Sequence, residues 1–260
     1  MNSVSKTLYI PLYGKALVSR KGILLHDPKA ETIWEKEGFE LKGKAASKWL
    51  AYSMAMRAAV FDDWTRAKLK ECPDAVVLHI GCGMDSRFAR IGSNCNWYDI
   101  DFPEVIRERK KYFSETDTYH MISADMRQED WKQHIPGNCD AIIVMEGVSM
   151  YLRRPELEGL LKRFADHFAS VHILMDCYST FAARASRYKN PIKEVGVTTV
   201  FGLDDPVALA KITGLTYVRE HSMTPGRLMH QLTAMERIVF ANLYAGRMAK
   251  RLYRLYELNT

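Results

Sequence analysis

No stretch of the chain approaches the roughly 18–20 consecutive apolar residues that a membrane-spanning helix requires, so no membrane span is expected. The N-terminal stretch MNSVSKTLYIPLYGK lacks the long apolar segment and small-residue cleavage site of a secretory leader. Cysteine is scarce: Cys72, Cys82, Cys95, Cys139 and Cys177 are odd in number and include no C-x-x-C pair. A disulfide framework and a zinc site are both disfavoured, no metal is expected, and the cytoplasm is the expected compartment. Repeats and low-complexity tracts are missing too. What is present is an ordinary globular composition, with 260 residues, 47% of them apolar and 26% charged. That is enough for one large α/β domain, or two small ones, with a sizeable core. Thirty-seven basic against thirty-one acidic side chains give a net charge of +6. A mildly basic chain suits an anionic ligand, and neither nucleic acid nor membrane is expected as a partner.

Residues 1–70 carry no strand-like alternation apart from a short apolar piece at 8–12. Between 44 and 70 the pattern is helical, with Leu50, Met54, Phe61 and Trp64 at spacings of four, seven and three. Arg57 fills the seven-residue gap. An arginine within an apolar stripe either snorkels to the surface or is buried against an anion. From residue 75 the text changes: short apolar runs at 75–80, 96–100, 119–123, 140–145 and 171–176 read as strands. Helical stretches at 103–111 and 155–168 alternate with them, which predicts a mostly parallel sheet with helices on both faces. Residues 181–213 read as an irregular and helical excursion, and 216–223 as a sixth strand. Residues 252–258 fit either a closing strand or the end of a basic helix.

Four strand ends carry chemistry. Gly81-Cys82-Gly83 follows the first strand, where two glycines allow a tight turn and close backbone approach to a ligand. A dinucleotide-binding fingerprint would place a third glycine at position 86, which is Ser86; its absence argues against NAD or FAD and allows a ligand without phosphate. Asp101 ends the second strand, eighteen residues beyond Gly83, a distance that suits an acid taking both ribose hydroxyls. Asp99 alternates with it on the same face, and Asp101 lies nearer the strand's C-terminal edge. Asp125, after the third strand, could accept from an exocyclic amine such as that of adenine, and equally fits a turn or helix cap. Glu146, beside Gly147, ends a buried strand and needs a partner: a ligand ammonium, or Arg57 or Arg87. Taken together, the set asks for adenine, ribose, ammonium and carboxylate without phosphate, which describes S-adenosylmethionine (SAM).

The segments HIGCGMDSRF, WYDIDFPEVI, ADMRQEDW and MEGVSMYL, in this order, resemble the leucine carboxyl methyltransferase and tetracenomycin-type polyketide O-methyltransferase family. The likeness extends upstream to LYGKALVSRKGILLHDPKA and MRAAVFDDW and covers roughly residues 8–180. It implies a class I, Rossmann-like methyltransferase with a seven-stranded, mostly parallel sheet. An N-terminal helical cap or substrate lid (1–70) would precede a SAM-binding domain (71–260) with an insertion near 181–213. It implies that Arg57 holds the SAM carboxylate, that Lys15 also approaches the cofactor, and that Gly81 lies beneath the methionyl part. Asp101 matches the ribose-binding acid, Asp125 and Met126 the pair flanking adenine, and Glu146 a glutamate near the methionyl amine. Arg87 follows the D-[ST]-R form of the small-molecule branch, and Tyr151 matches a tyrosine facing the substrate. Cys82, Gly83, Phe102 and Gly147 complete the expected cofactor contacts.

The short chain and compact loops favour a small-molecule acceptor, aromatic or polyketide-like, methylated on a carboxylate or hydroxyl, with S-adenosylhomocysteine (SAH) as the second product. Two alternatives are a protein C-terminal carboxyl methyltransferase and a non-catalytic SAM-binding regulator whose basic tail (Arg247, Lys250, Arg251, Arg254) meets a partner. His26, His221 and His230 are the histidines considered as bases, and none is assigned; Tyr151 is the expected substrate-orienting hydroxyl. Residues 8–60 and 181–235 are expected to roof the acceptor pocket, with Tyr9, Tyr13, Trp49, Tyr52, Phe181, Tyr188, Phe201 and Met223 as its aromatics and methionines.

Overall fold

Largely apolar runs become strands in this chain, as they do where both faces of a parallel sheet are covered. A computed structural model describes residues 3–38, 41, 43–92, 94–186 and 199–260. Its strands are β1 (Val76–Ile80), β2 (Trp97–Asp101), β3 (Tyr119–Ser123), β4 (Asp140–Met145), β5 (Ser170–Tyr178), β6 (Thr216–His221) and β7 (Tyr253–Asn259). They form one seven-stranded sheet in the order β3-β2-β1-β4-β5-β7-β6. The first five strands pair in parallel, and β7 runs antiparallel to both β5 and β6. Strand order reverses at β1, so the chain leaves β1 and β4 toward opposite edges and a crevice opens beyond their C-terminal ends.

Helices α1 (Ser3–Arg20), α2 (Pro28–Glu37) and α3 (Lys48–Glu71) precede the sheet; α4 (Arg87–Ile91), α5 (Pro103–Arg109) and α6 (Arg154–His167) connect its parallel strands. Helices α7 (Thr180–Ser186) and α8 (Pro206–Thr213) lie between β5 and β6, and α9 (Gly226–Met229), α10 (Ala234–Phe240) and α11 (Arg247–Leu252) between β6 and β7. Alternation along the strands feeds two cores. Leu78, Ile143 and Ile173 pack with Leu160, Leu161 and Phe164 of α6. Val77, Val144, Leu174 and Leu255 pack on the opposite face with Tyr52, Met56 and Phe61 of α3. Helix α3 is therefore part of the sheet's core. Its apolar residues are buried nearly all round, because α1 covers the side that the sheet leaves open. Close approach there depends on Gly14, where a Cβ would lie 3.1 Å from the Ala51 carbonyl oxygen.

Several sequence expectations shift. Residues 8–12 belong to α1 and not to an extended piece: Tyr9, Leu12 and Ala16 fall at helical spacing and bury together against Ala30 and Ile33 of α2, despite Pro11 within the helix. Strand β2 begins one residue later than expected, and β5 is longer at both ends. The two readings of 252–258 are resolved in sequence, since helix α11 ends at Leu252 and strand β7 begins at Tyr253. Of the 181–213 excursion, residues 187–198 lie outside the described residues. No helix among the described residues is long and apolar enough to cross a membrane.

Candidate active site

A cavity of about 830 Å³ opens over the C-terminal ends of β1, β2 and β4, within the usual size range of small-molecule sites. Lys15, Arg57, Gly81, Cys82, Gly83, Asp101, Phe102, Asp125, Met126, Glu146, Gly147 and Tyr151 all line it. Arg87 does not, and this departs from its expected place among the cofactor contacts: its side chain is fully buried behind Glu146.

The turn after β1 is built on glycine. Gly81 and Gly83 adopt φ of +65° and +51°, a region that side chains strain to enter. A Cβ on Gly81 would lie 2.4 Å from Val148 Cγ2. The Gly83 N–H donates to Asp101 Oδ2 at 2.8 Å, and its carbonyl accepts from Arg109 Nη1 at 3.0 Å. Asp101 Oδ1 accepts the Phe102 N–H at 2.8 Å. Each Asp101 oxygen thus keeps acceptor capacity toward the cavity. Burial pushes this carboxyl up to about 6, with the two N–H bonds acting against the rise. Asp125 is gripped by Arg127 at 2.6 to 3.0 Å, and the Arg127 hydrogen bonds lower its pKa. Arg127 also lies over the Phe102 ring.

Behind the turn lies an ionic cluster. Arg57 is buried, which decides between the two readings of its sequence position. Its Nε donates to Glu146 at 2.9 Å, and its Nη1 meets Asp176 at 3.0 Å and the Tyr253 hydroxyl. Nη2 has no acceptor among the described residues; it lies 3.7 Å from where a Cβ on Gly147 would stand. Arg87 donates to the other Glu146 oxygen and, at 2.7 Å, to Asp62. Burial raises the Glu146 carboxyl, and Arg57 and Arg87 more than reverse this, leaving it at about 2. Both structural partners considered for Glu146 are therefore in place. Lys15 pairs with Asp85 at 2.8 Å. Ser86 Oγ lies 2.5 and 2.6 Å from the oxygens of Asp27, which itself caps α2 through the Ala30 N–H. The position of a dinucleotide fold's third glycine is thus used to latch the N-terminal helices.

Sequence reasoning missed Asp62, Asp176, Arg109 and Tyr253. Asp176 ends the apolar run read as a strand at 171–176 and so carried the same signal as Glu146, although β5 continues to Tyr178; the others had no local mark. The acceptor end also differs from expectation. Met223 lines the cavity, whereas Tyr9 and Tyr52 are core, Tyr13 packs on Trp34, Trp49 packs on Tyr52, and Phe181 is 63% exposed. Phe201 borders a separate, smaller cavity, and Tyr188 lies outside the described residues. Residues 8–60 do reach the cavity, through Leu8, Leu12, Leu50 and Met54, while Leu243, Tyr244 and Met248 add a part of the wall that lies beyond the expected 181–235. Tyr151 stands on the wall, 40% exposed, with its phenol pushed up to about 12, mainly by desolvation within the concave surface. His26, His221 and His230 do not reach the cavity. His79 does, but it is buried with Nδ1 3.1 Å from Asp99 and Nε2 facing Arg87, and burial lowers its pKa.

The residues fit SAM. Arg57 offers one free guanidinium nitrogen at the cavity wall, Asp101 offers an acceptor pair, and the glycine turn lets backbone come close. Comparison with known proteins agrees. A family model described as leucine carboxyl methyltransferase matches residues 4–165. The tetracenomycin polyketide synthesis O-methyltransferase TcmP of Streptomyces glaucescens is 30% identical over 248 residues, covering 94% of this chain and 92% of its own. The S-adenosyl-L-methionine-dependent methyltransferase dpfgK of Gibberella zeae is 27% identical, over 67% of this chain and 64% of its own. Among solved structures, magnesium protoporphyrin IX methyltransferase (ChlM) from Synechocystis PCC 6803, with bound SAH, aligns with a TM-score of 0.51 at 11% identity. It covers 87% of this chain and 92% of that one, a likeness of fold.

Sheet order, glycine turn and strand-end acids define a Rossmann-like, SAM-dependent methyltransferase. Within that class, the chain belongs to the leucine carboxyl methyltransferase family.

Proposed function

We propose that this enzyme methylates an oxygen of a small, aromatic or polyketide-like acceptor, and that the acceptor presents a carboxylate or an already acidic hydroxyl. One observation carries this: the acceptor end of the cavity is apolar, and among the described residues the sole histidine on its lining is His79, which is buried and whose pKa burial lowers. A carboxylate needs no base, whereas a phenol with its pKa of about 10 does. The activity named for TcmP supports the same acceptor class.

The bound cofactor supplies an electrophilic methyl group on a sulfonium. The chain's own residues bind and orient. Arg57 Nη2 receives the methionyl carboxylate, with Lys15 beside it, and Glu146 and the Gly81 turn receive the ammonium. Cys82 and Gly83 complete that turn, Asp101 and Phe102 take the ribose, and Asp125 and Met126 flank adenine. Gly147 lets the loop pass close to Arg57, and Arg87 acts by holding Glu146. Tyr151, still protonated at neutral pH, orients the acceptor oxygen for in-line approach. Of residues 1–70, expected as helical cap and substrate lid, α1 and α2 keep that role, whereas α3 belongs to the core of the cofactor domain at 71–260, with 181–213 as an insertion. The same reading places the enzyme in the cytoplasm, with a free small molecule as partner and no nucleic acid.

The test is calorimetric titration with SAM, SAH and NAD, followed by transfer of labelled methyl from SAM to aromatic carboxylic acids. Micromolar SAM binding, weakened at least tenfold by Arg57→Ala and by Asp101→Ala (about 1.4 kcal/mol each), is expected. Unchanged affinity in folded variants would overturn the residue roles, and labelling of alcohols but not acids would overturn the acceptor class.

A further inference from the structure

Asp176 lies within β5, two residues before the strand ends, fully buried and outside the cavity lining. Its Oδ1 accepts the Gly147 N–H at 2.7 Å. Its Oδ2 meets Arg57 Nη1 at 3.0 Å and accepts from the Tyr253 hydroxyl. Its main-chain carbonyl accepts from Ser149. One residue thereby joins three separate walls of the cavity: helix α3 through Arg57, the loop after β4 through Gly147 and Ser149, and strand β7 through Tyr253. Tyr253 completes the arrangement, since its hydroxyl accepts from Arg57 while donating to Asp176. With Nε on Glu146 and Nη1 on Asp176 and Tyr253, the guanidinium plane cannot rotate, and only Nη2 is left for a ligand.

We propose that Asp176, assisted by Tyr253, is a positioning residue that presents the free edge of Arg57 to the carboxylate of the cofactor. This rests on the assignment of Arg57 to that carboxylate. In Asp176→Asn, an amide oxygen can still serve the Gly147 N–H, and the Tyr253 hydroxyl can turn to accept, but the amide NH2 then faces Arg57 Nη1, which can only donate, and Arg57 is released from its fixed plane.

The test separates orientation from general damage by using two ligands. SAH carries the amino-acid carboxylate; 5′-methylthioadenosine shares the nucleoside and lacks it. Asp176→Asn is expected to weaken SAH at least tenfold by calorimetry and to change methylthioadenosine less than twofold. Tyr253→Phe, a milder change, is expected to weaken SAH several-fold with the same indifference to methylthioadenosine, and carries the test if Asp176→Asn does not fold by circular dichroism. Equal losses for both ligands, or full SAH affinity in both variants, would overturn the proposal. Failure of the unmodified protein to bind SAH is visible before any substitution and would overturn the Arg57 assignment itself, and this inference with it.

Discussion

Asp101 carries its acid-base behaviour in its surroundings: burial holds the carboxyl near 6, although the Gly83 and Phe102 N–H groups favour its anion. That lies above the ~3.9 of an unfolded aspartate, so the ligand-free folded protein holds this proton more tightly than the unfolded chain. The group's contribution to stability is therefore full below about pH 4 and lost as pH rises through 6. Ribose binding has the opposite sign, because hydroxyls donate best to the anion. SAM affinity is expected to fall roughly tenfold from pH 7 to one pH unit below the pKa; calorimetry at pH 5, 6 and 7 checks this, and Asp101→Asn removes the dependence. Gly81 makes a sharper demand. Gly81→Ala combines a positive φ, costing of order 1–3 kcal/mol, with collision against Val148. Urea unfolding is expected to show that loss, and SAM titration a loss of binding beyond tenfold.

Among elements, α3 and α4 are joined by charge where sequence pattern shows only apolar helix. Asp62 of α3 accepts from Arg87 and Arg90, each at 2.7 Å, all three buried. Asp62→Ala leaves two buried guanidinium groups short of a partner and is expected to lower unfolding free energy by about 3–5 kcal/mol in urea titration. Restoring the dinucleotide-type glycine by Ser86→Gly is expected to cost about 1 kcal/mol by loss of the Asp27 latch, and to leave NAD unbound. Elements of this second kind explain what the sequence could and could not disclose. Strands β1 to β5 were legible because burial on both faces forces largely apolar runs, and Gly81, Asp101 and Glu146 because a charge or paired glycine closes such a run at its end. Helix α1 was obscured by Pro11 within a short apolar piece. Asp62 and Tyr253 were invisible because their partners stand 25 and 196 positions away, and no local spacing records such a pairing. The roof at 243–248 escaped for the same reason.

At the scale of the molecule, the cavity is shared between the sheet, the helices that precede it and the segment between β6 and β7. Bound ligand should therefore tighten distant parts of the chain together. At one hundred times its dissociation constant, SAH is expected to raise unfolding free energy by about 2.7 kcal/mol. Hydrogen exchange should slow in α1 and over 242–252 while the edge strand β6 changes little.

Strand β7 follows β6 in the chain but lies between β5 and β6 in the sheet. On a ribosome, β6 therefore emerges with no neighbour to pair with, and β5 waits beside an open edge. Arg57 has by then long been made, and Tyr253, which steadies it, arrives with β7. A nascent chain holding every glycine and acid of the cofactor site would have Glu146 and Asp176 for its key guanidinium but not yet the Tyr253 hydroxyl. The hydroxyl that completes the hold on Arg57 is therefore among the last parts of the site to be made, and it comes with the strand that fills the gap in the sheet.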